Sequence, residues 1–271
     1  MFGNTFVPSS PPAAIHREVL TAARTYYVRT DGNDLNNGLT STAGGAFKTI
    51  QKAIDVIAST LDIAGNIVTV WIADGTYTGA VVLKNVVGYA APGNLVIKGN
   101  NSTPANVVIS NTGTCVSVAS IPAVWDILDL KITSSGNIGI YCLSAYVRFG
   151  NVNFGGCPVH MYCSSGGTIE CIGNYFISGN AANHWYAILH GNIIATGRTI
   201  TFSNSPVISE NFAAMFGGFF LINAMTFTNG GTVTGKRYAV EGNGVIFTGG
   251  GGAAYIPGTI AGTASTGGQY I

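Results

Sequence analysis

The sequence predicts an all-β fold, a parallel β-helix of about eight coils led by an N-terminal α-helix, and three observations carry that expectation. The first is a repeat. Ile132, Phe154, Phe176, Phe202, Phe227 and Phe247 recur at spacings of 22, 22, 26, 25 and 20 residues. Gly139-Ile140-Tyr141-Cys142 also matches His160-Met161-Tyr162-Cys163 in pattern. Repeat units of about 20–26 residues that each hold several short strands mark a parallel β-helix. The second observation is that apolar residues come in short alternating runs between Gly, Asn, Ser and Thr, as strands between turns do. The third is that charged residues make up only 8% of the 271 and glycine numbers 38, against about 25% charged in ordinary domains. Neighbouring coils stack like residues about 4.8 Å apart, where repeated charge repels.

The same composition excludes several function classes. A net charge of +1 cannot supply the phosphate-neutralising surface of a nucleic-acid binder. A hydrophobic content of 47% rules out an acidic disordered chain. The mean hydropathy is +0.36, yet no stretch approaches the about 18 unbroken apolar residues of a membrane helix, so no membrane insertion is expected. Met1 to Pro8 lacks the basic start and apolar core of a signal peptide, which makes the cytoplasm the expected place of synthesis. Cys115, Cys142, Cys157, Cys163 and Cys171 show no paired CxxC spacing. They read as buried small hydrophobes rather than zinc ligands. No metal and no cofactor is expected.

The elements follow in order. Residues 1–25, with Pro8, Pro11 and Pro12, cannot build a core and read as an anchor that orders on a partner. Residues 26–65 form a capping unit of strand, loop and helix. Tyr26 to Thr30 is a strand. Asp31 to Gly38 superficially suggests a calcium loop, but Leu35 and Thr42 occupy the fifth and twelfth positions and the carboxylate count fails. Phe47, Ile50, Ile54, Ile57 and Leu61 make one apolar stripe and predict a helix over 46–61. Residues 66–252 hold the coils, a rod of roughly 40 Å, and 253–271 read as an extended C-terminal tail.

Two stretches carry a resemblance. Tyr26 to Asp34, Asn37-Gly38, Ala46 to Asp55 and the Ala73-Asp74-Gly75-Thr76-Tyr77 element resemble the opening of pectin-lyase-like right-handed β-helix proteins. The closing run Pro257 to Tyr270 looks like the end of bacteriophage and prophage tail-fibre or tailspike proteins of this class. The resemblance implies a right-handed β-helix with a helix over its first coil. It further implies a virion-associated fibre or spike, on the particle's tail or head surface, made in the host cytoplasm. Its expected partners are other virion proteins through residues 1–25, a host surface polysaccharide and, in a homotrimer, further copies of itself. Such proteins bind glycans, and some cleave them, so a hydrolase or lyase acting on capsule or lipopolysaccharide is the alternative function.

Beyond Gly65 the acids are Asp74, Asp126, Asp129, Glu170, Glu210 and Glu241, sparse for an enzyme that needs paired carboxylates. Asp126, Arg148 and Glu170 align at a spacing of 22 and should form one outward column. Read chemically, Asp126 and Glu170 are the alternative acid/base pair; read structurally, the three form a self-neutralising ion ladder. Arg148 between them disfavours catalysis, because it keeps both acids ionised. A second column places Tyr141, Tyr162 and Tyr186 outward, with His160 and His184 two positions earlier. Stacked tyrosines make a strip that is apolar on the ring and polar at the tip. These five residues are the candidate ligand-binding set for a sugar. Packing against another subunit is the competing reading.

Overall fold

A computed structural model describes residues 16–271. The chain is an all-β parallel β-helix of about eight turns, with ten, seven and eight strands in three long sheets, here sheets 1, 2 and 3. All their strand pairings are parallel and join each coil to the next. One coil illustrates the plan. Trp125–Leu128 lies in sheet 1, Lys131–Ser134 in sheet 2 and Ile138–Leu143 in sheet 3. Between sheets 3 and 1 the chain turns through pairs of left-handed residues. Ser165-Gly166, Gly242-Asn243 and Thr266-Gly267 all have positive φ, and each pair is closed by an i to i+3 hydrogen bond of 2.8–3.0 Å. Two successive positive φ angles define a type I′ turn, which explains the Gly and Asn at these corners. Among the described residues, no helix is long and apolar enough to cross a membrane.

The helix, α1, spans Ile50–Thr60 rather than 46–61, because the chain before it is engaged elsewhere. Thr49 caps it by accepting from the Lys52 backbone N–H at 3.2 Å. Asp34 accepts from the backbone N–H groups of Lys48 and Thr49 and from the Thr49 hydroxyl, at 2.8–2.9 Å. The aspartate of the Asp31–Gly38 loop thus serves the helix start. Ile50, Ala53, Ile54 and Ile57 are buried, as a helix stripe laid on a core must be. The outer edge of strand Arg24–Val28 is met by the loop. Tyr27 N–H donates to Gly38 O, Phe47 N–H to Tyr27 O and Arg29 N–H to Phe47 O, at 2.8–2.9 Å, so this edge carries few unpaired backbone groups.

Both terminal boundaries differ from expectation. Residues 1–15 lie outside the described residues, but 16–25 belong to the body. Glu18–Val19 pairs with Leu61–Asp62, Leu20 is buried, and Arg24 opens the first strand of sheet 1. At the other end, 253–271 is not a free extended tail. Thr263–Ala264 and Gln269–Tyr270 continue sheets 3 and 1, and Ile256 is fully buried. The Tyr255 hydroxyl donates to Ile222 O at 2.8 Å, and its ring packs edge-on against Phe227 with centroids 5.5 Å apart. Exposed core at the last coil is apolar surface that water disfavours, and these residues cover it.

The cysteine, tyrosine and charged columns have the register that the repeat implies, whereas the phenylalanine column holds only from Ile132 to Phe154. Cys142 pairs with Cys163, and all five cysteines are buried and free. Thiol titration should therefore find no rapidly reacting group in the native protein and five after unfolding; fewer than five without added oxidant would contradict this. In sheet 2, however, Phe154 pairs with Ile177, not Phe176. Phe176 points outward while Tyr175 and Ile177 are buried, since a one-residue slip exchanges the faces of a strand. Phe227 pairs with Ile200, and Phe247 lies in sheet 1 against Leu221.

Candidate functional site

Tyr141, Tyr162 and Tyr186 pair rung to rung on the outer face of sheet 3. Strand alternation puts them there: Ile140, Cys142, Met161, Cys163, Trp185 and Ala187 on either side are all buried. The Tyr141 and Tyr162 rings are stacked, 5.4 Å apart and 25° from parallel. Tyr186 is turned edge-on to Tyr162, at 5.2 Å and 86°. The strip is therefore two parallel rings and one perpendicular ring, rather than a uniform flat ladder. Its neighbours in the column are small, Ser117 before it and Ala214 after it, so the rings stand clear along the rod.

His160 and His184 do not join this strip. Both are fully buried. Alternation fails where the chain enters sheet 3: the consecutive residues His160 and Met161 are both fully buried, as are His184 and Trp185. A corner turns the backbone by less than a full pleat, so consecutive side chains share the interior. There the histidines form a chain with Tyr175, a residue the sequence did not single out. His160 Nε2 lies 2.8 Å from Gly155 O, the two Nδ1 atoms are 3.0 Å apart, and His184 Nε2 lies 2.7 Å from the Tyr175 hydroxyl. A carbonyl only accepts, so His160 carries its proton on Nε2 and its Nδ1 accepts. His184 must then donate from Nδ1, leaving its Nε2 to accept from Tyr175. One tautomer assignment satisfies every atom, with both rings neutral. Burial pushes the His160 imidazolium down to about 4. His184 is lowered in the same sense by burial and by the neighbouring imidazole.

The charged column has the expected register: Asp126 pairs with Arg148 and Arg148 with Glu170. Its chemistry is not a three-member ladder. Arg148 grips Asp126 with two hydrogen bonds, Nε at 2.7 Å and Nη2 at 2.6 Å. Asp126 is only 4% exposed, and Gly93 of the preceding loop lies against the guanidinium. Glu170 accepts instead from the Tyr146 hydroxyl. Burial first, then that hydrogen bond, holds the Tyr146 phenol above its ordinary range. Tyr146 lies two residues before Arg148 on the same outward face, a signal present in the strand pattern but not singled out. Asp126 and Glu170 stand two coils apart, about 9.6 Å by strand spacing, at the far limit for an inverting pair. A general acid or base needs an oxygen free to reach its substrate, and both Asp126 oxygens are engaged by Arg148.

No family model matches this chain, and no curated protein matches it in sequence. Among solved structures, a pectin methylesterase from carrot is similar with a TM-score of 0.38 and 10% identity, over 92% of this chain and 90% of that chain.

Proposed function

We propose that this chain is the glycan-binding β-helix of a bacteriophage tail fibre or tailspike, displayed on the virion and recognising a host surface polysaccharide. The tyrosine strip on sheet 3 carries the reading. Its rings offer apolar surface and hydroxyl tips at a spacing fixed by the coils, which suits the C–H patches and hydroxyls of a saccharide chain. The pairing of Asp126 with Arg148 and of Glu170 with Tyr146 favours binding over cleavage. In this reading attachment to the particle runs through the N-terminal segment, within residues 1–25. Truncation to test it must stop before Arg17, whose Nη1 donates to Ala58 O at 2.7 Å.

The test is binding of purified bacterial capsular polysaccharides and lipopolysaccharide O-chains to the immobilised protein. Tyr162→Ala should weaken binding about tenfold, the size of one or two aromatic contacts, while the variant remains folded with at most a small loss of thermal stability from its two ring contacts. Unchanged affinity would refute the strip. The depolymerase alternative predicts release of reducing ends or unsaturated uronates that Asp126→Asn and Glu170→Gln abolish; we expect no release from the unaltered protein.

The assembly proposal is a homotrimer. The column that holds Glu170 continues as Ile194, Leu221 and Phe247, all outward and half-buried. An outward apolar stripe at one end of a rod suits a cyclic contact. Light scattering should give about three times the 27.9 kDa chain mass; a monomer at micromolar concentration would overturn this part.

A further inference from the structure

The corners between sheets 3 and 1 change length in the C-terminal half. Leu189 to Gly191 joins Ile188 to Asn192, and Gly242 to Gly244 joins Glu241 to Val245. In the coil between them, only Gly217 and Gly218 join Phe216 to Phe219. The strands nevertheless stay in register, with Ile188, Phe216 and Glu241 paired on one side and Asn192, Phe219 and Val245 on the other. The shorter corner is therefore recessed. It leaves a shallow notch of about 420 Å³ lined by His190, Asn192, Gly217, Gly218, Gly242 and Asn243. The floor is tightly packed: a Cβ on Gly218 would run into the Gly191 carbonyl and stand 2.9 Å from Met215 Sδ.

Two further features mark the notch. Its rim exposes large apolar side chains, with Leu189 58%, Phe216 52% and Phe219 38% exposed. The Phe216 ring lies over Gly242, about 3.3 Å from where a Cβ would stand, beside the notch rather than in its lining. In addition, Leu189 and His190 both adopt left-handed conformations, φ 49° and 65°. The equivalent corners use Ser-Gly, Gly-Asn and Thr-Gly. A left-handed leucine is strained, and neither residue is buried, so core packing gives no reason for the pair.

We propose that this notch is a second carbohydrate subsite, taking one sugar ring of an uncharged glycan. The two walls belong to coils two strand spacings apart, about 9.6 Å between backbones, which admits one flat ring in van der Waals contact with both. Phe216 and Phe219 supply faces for the C–H side of the ring. For hydroxyls, His190 offers its ring nitrogens, Asn192 its Oδ1 beside an Nδ2 that donates to Gly167 O at 3.4 Å, and Asn243 its Nδ2 beside an Oδ1 that leans over Gly267. No charged side chain lines the notch, so an acidic sugar gains no partner there. The ligand class rests on the glycan-binding reading above, but the residues are separate from the tyrosine strip.

The test is titration of the full chain with neutral disaccharides (maltose, cellobiose, lactose and chitobiose) followed by amide NMR. At least one should shift the Gly217, Gly218 and Asn243 amides at millimolar concentration. Asn192→Ala and Phe216→Ala should each weaken that response about fivefold to tenfold, while Tyr162→Ala leaves it intact. Both substitutions are at the surface, and dispersed spectra verify the fold. Three results of the titration and one of polysaccharide binding would overturn the proposal. One is the absence of shifts at the notch with all four sugars. Another is a response equally strong in the notch variants. The third is a shift of the same amides with protein concentration alone, which would make the notch a contact between copies. Polysaccharide binding lost in Tyr162→Ala but unaltered in Phe216→Ala would remove the notch and leave the strip standing.

Discussion

Between pH 6.5 and 5 the protein should lose about 2 kcal/mol of stability, from His160 alone. An unfolded histidine titrates near 6.5, whereas burial holds folded His160 down at about 4. Across that window the unfolded chain binds a proton that the folded chain refuses, so stability falls as pH falls. The contribution is complete above pH 6.5 and lost progressively towards pH 4. His184 shifts in the same direction and deepens the loss. The carboxylates with lowered values, Glu18, Asp31 and Asp55, lose their contribution only at lower pH, so the upper part of the window reports the histidines. Urea midpoints at pH 7, 6 and 5 measure the effect. A double variant, His160→Leu with His184→Phe, should flatten the dependence, because neither remaining side chain titrates. A flat profile in the unaltered protein would show that the two rings accept protons in place.

Gly179→Ala should be among the most damaging single methyl additions in the molecule, costing more than about 3 kcal/mol. A Cβ at Gly179 would collide with the backbone of Gly155 and Gly156 in the preceding coil. Backbone cannot rotate away as a side chain can, so the two coils must separate locally. Gly155 O is also the acceptor for His160 Nε2, and any separation strands the end of the buried chain, at a further cost. A thermal melt should show a drop of several degrees, or the variant should fail to accumulate in folded form. A melt unchanged within a degree would mean the coils are looser than their contacts imply.

The ease with which residues were placed depended on where they sit in a coil. Tyr141, Tyr162 and Tyr186 lie inside strands, where alternation is strict, and their outward face was legible from Cys142, Cys163 and Ala187 beside them. His160 and His184 lie at a corner, where two successive side chains enter the core, and period-two reasoning sent them to the wrong side. Phe176 shows the same sensitivity within sheet 2, where choosing the neighbouring residue for the column exchanged inside for outside. The charged column was right in register but not in partnership. Which oxygen Arg148 grips depends on side-chain reach and on the loop through Gly93, and neither has a period. The terminal segments are hard to place from sequence because 16–25 is short and polar and 253–271 is rich in Gly and Thr, and neither shows a strand pattern until an existing edge offers it hydrogen bonds.

The corners keep two kinds of change apart. The strand ends on both sides of Gly217-Gly218 stay paired despite the missing residue, and the register shift falls at the far end of the same strand, between the Ala181 and Asn183 pairings, so a length change at a corner is absorbed within one strand of the coil. Surface relief and interior packing can thus diversify independently. A lineage under pressure to present a new surface could add or delete corner residues, opening or filling recesses along the rod, while the folding information in the columns stays untouched. The same property makes these corners natural grafting points for engineered loops.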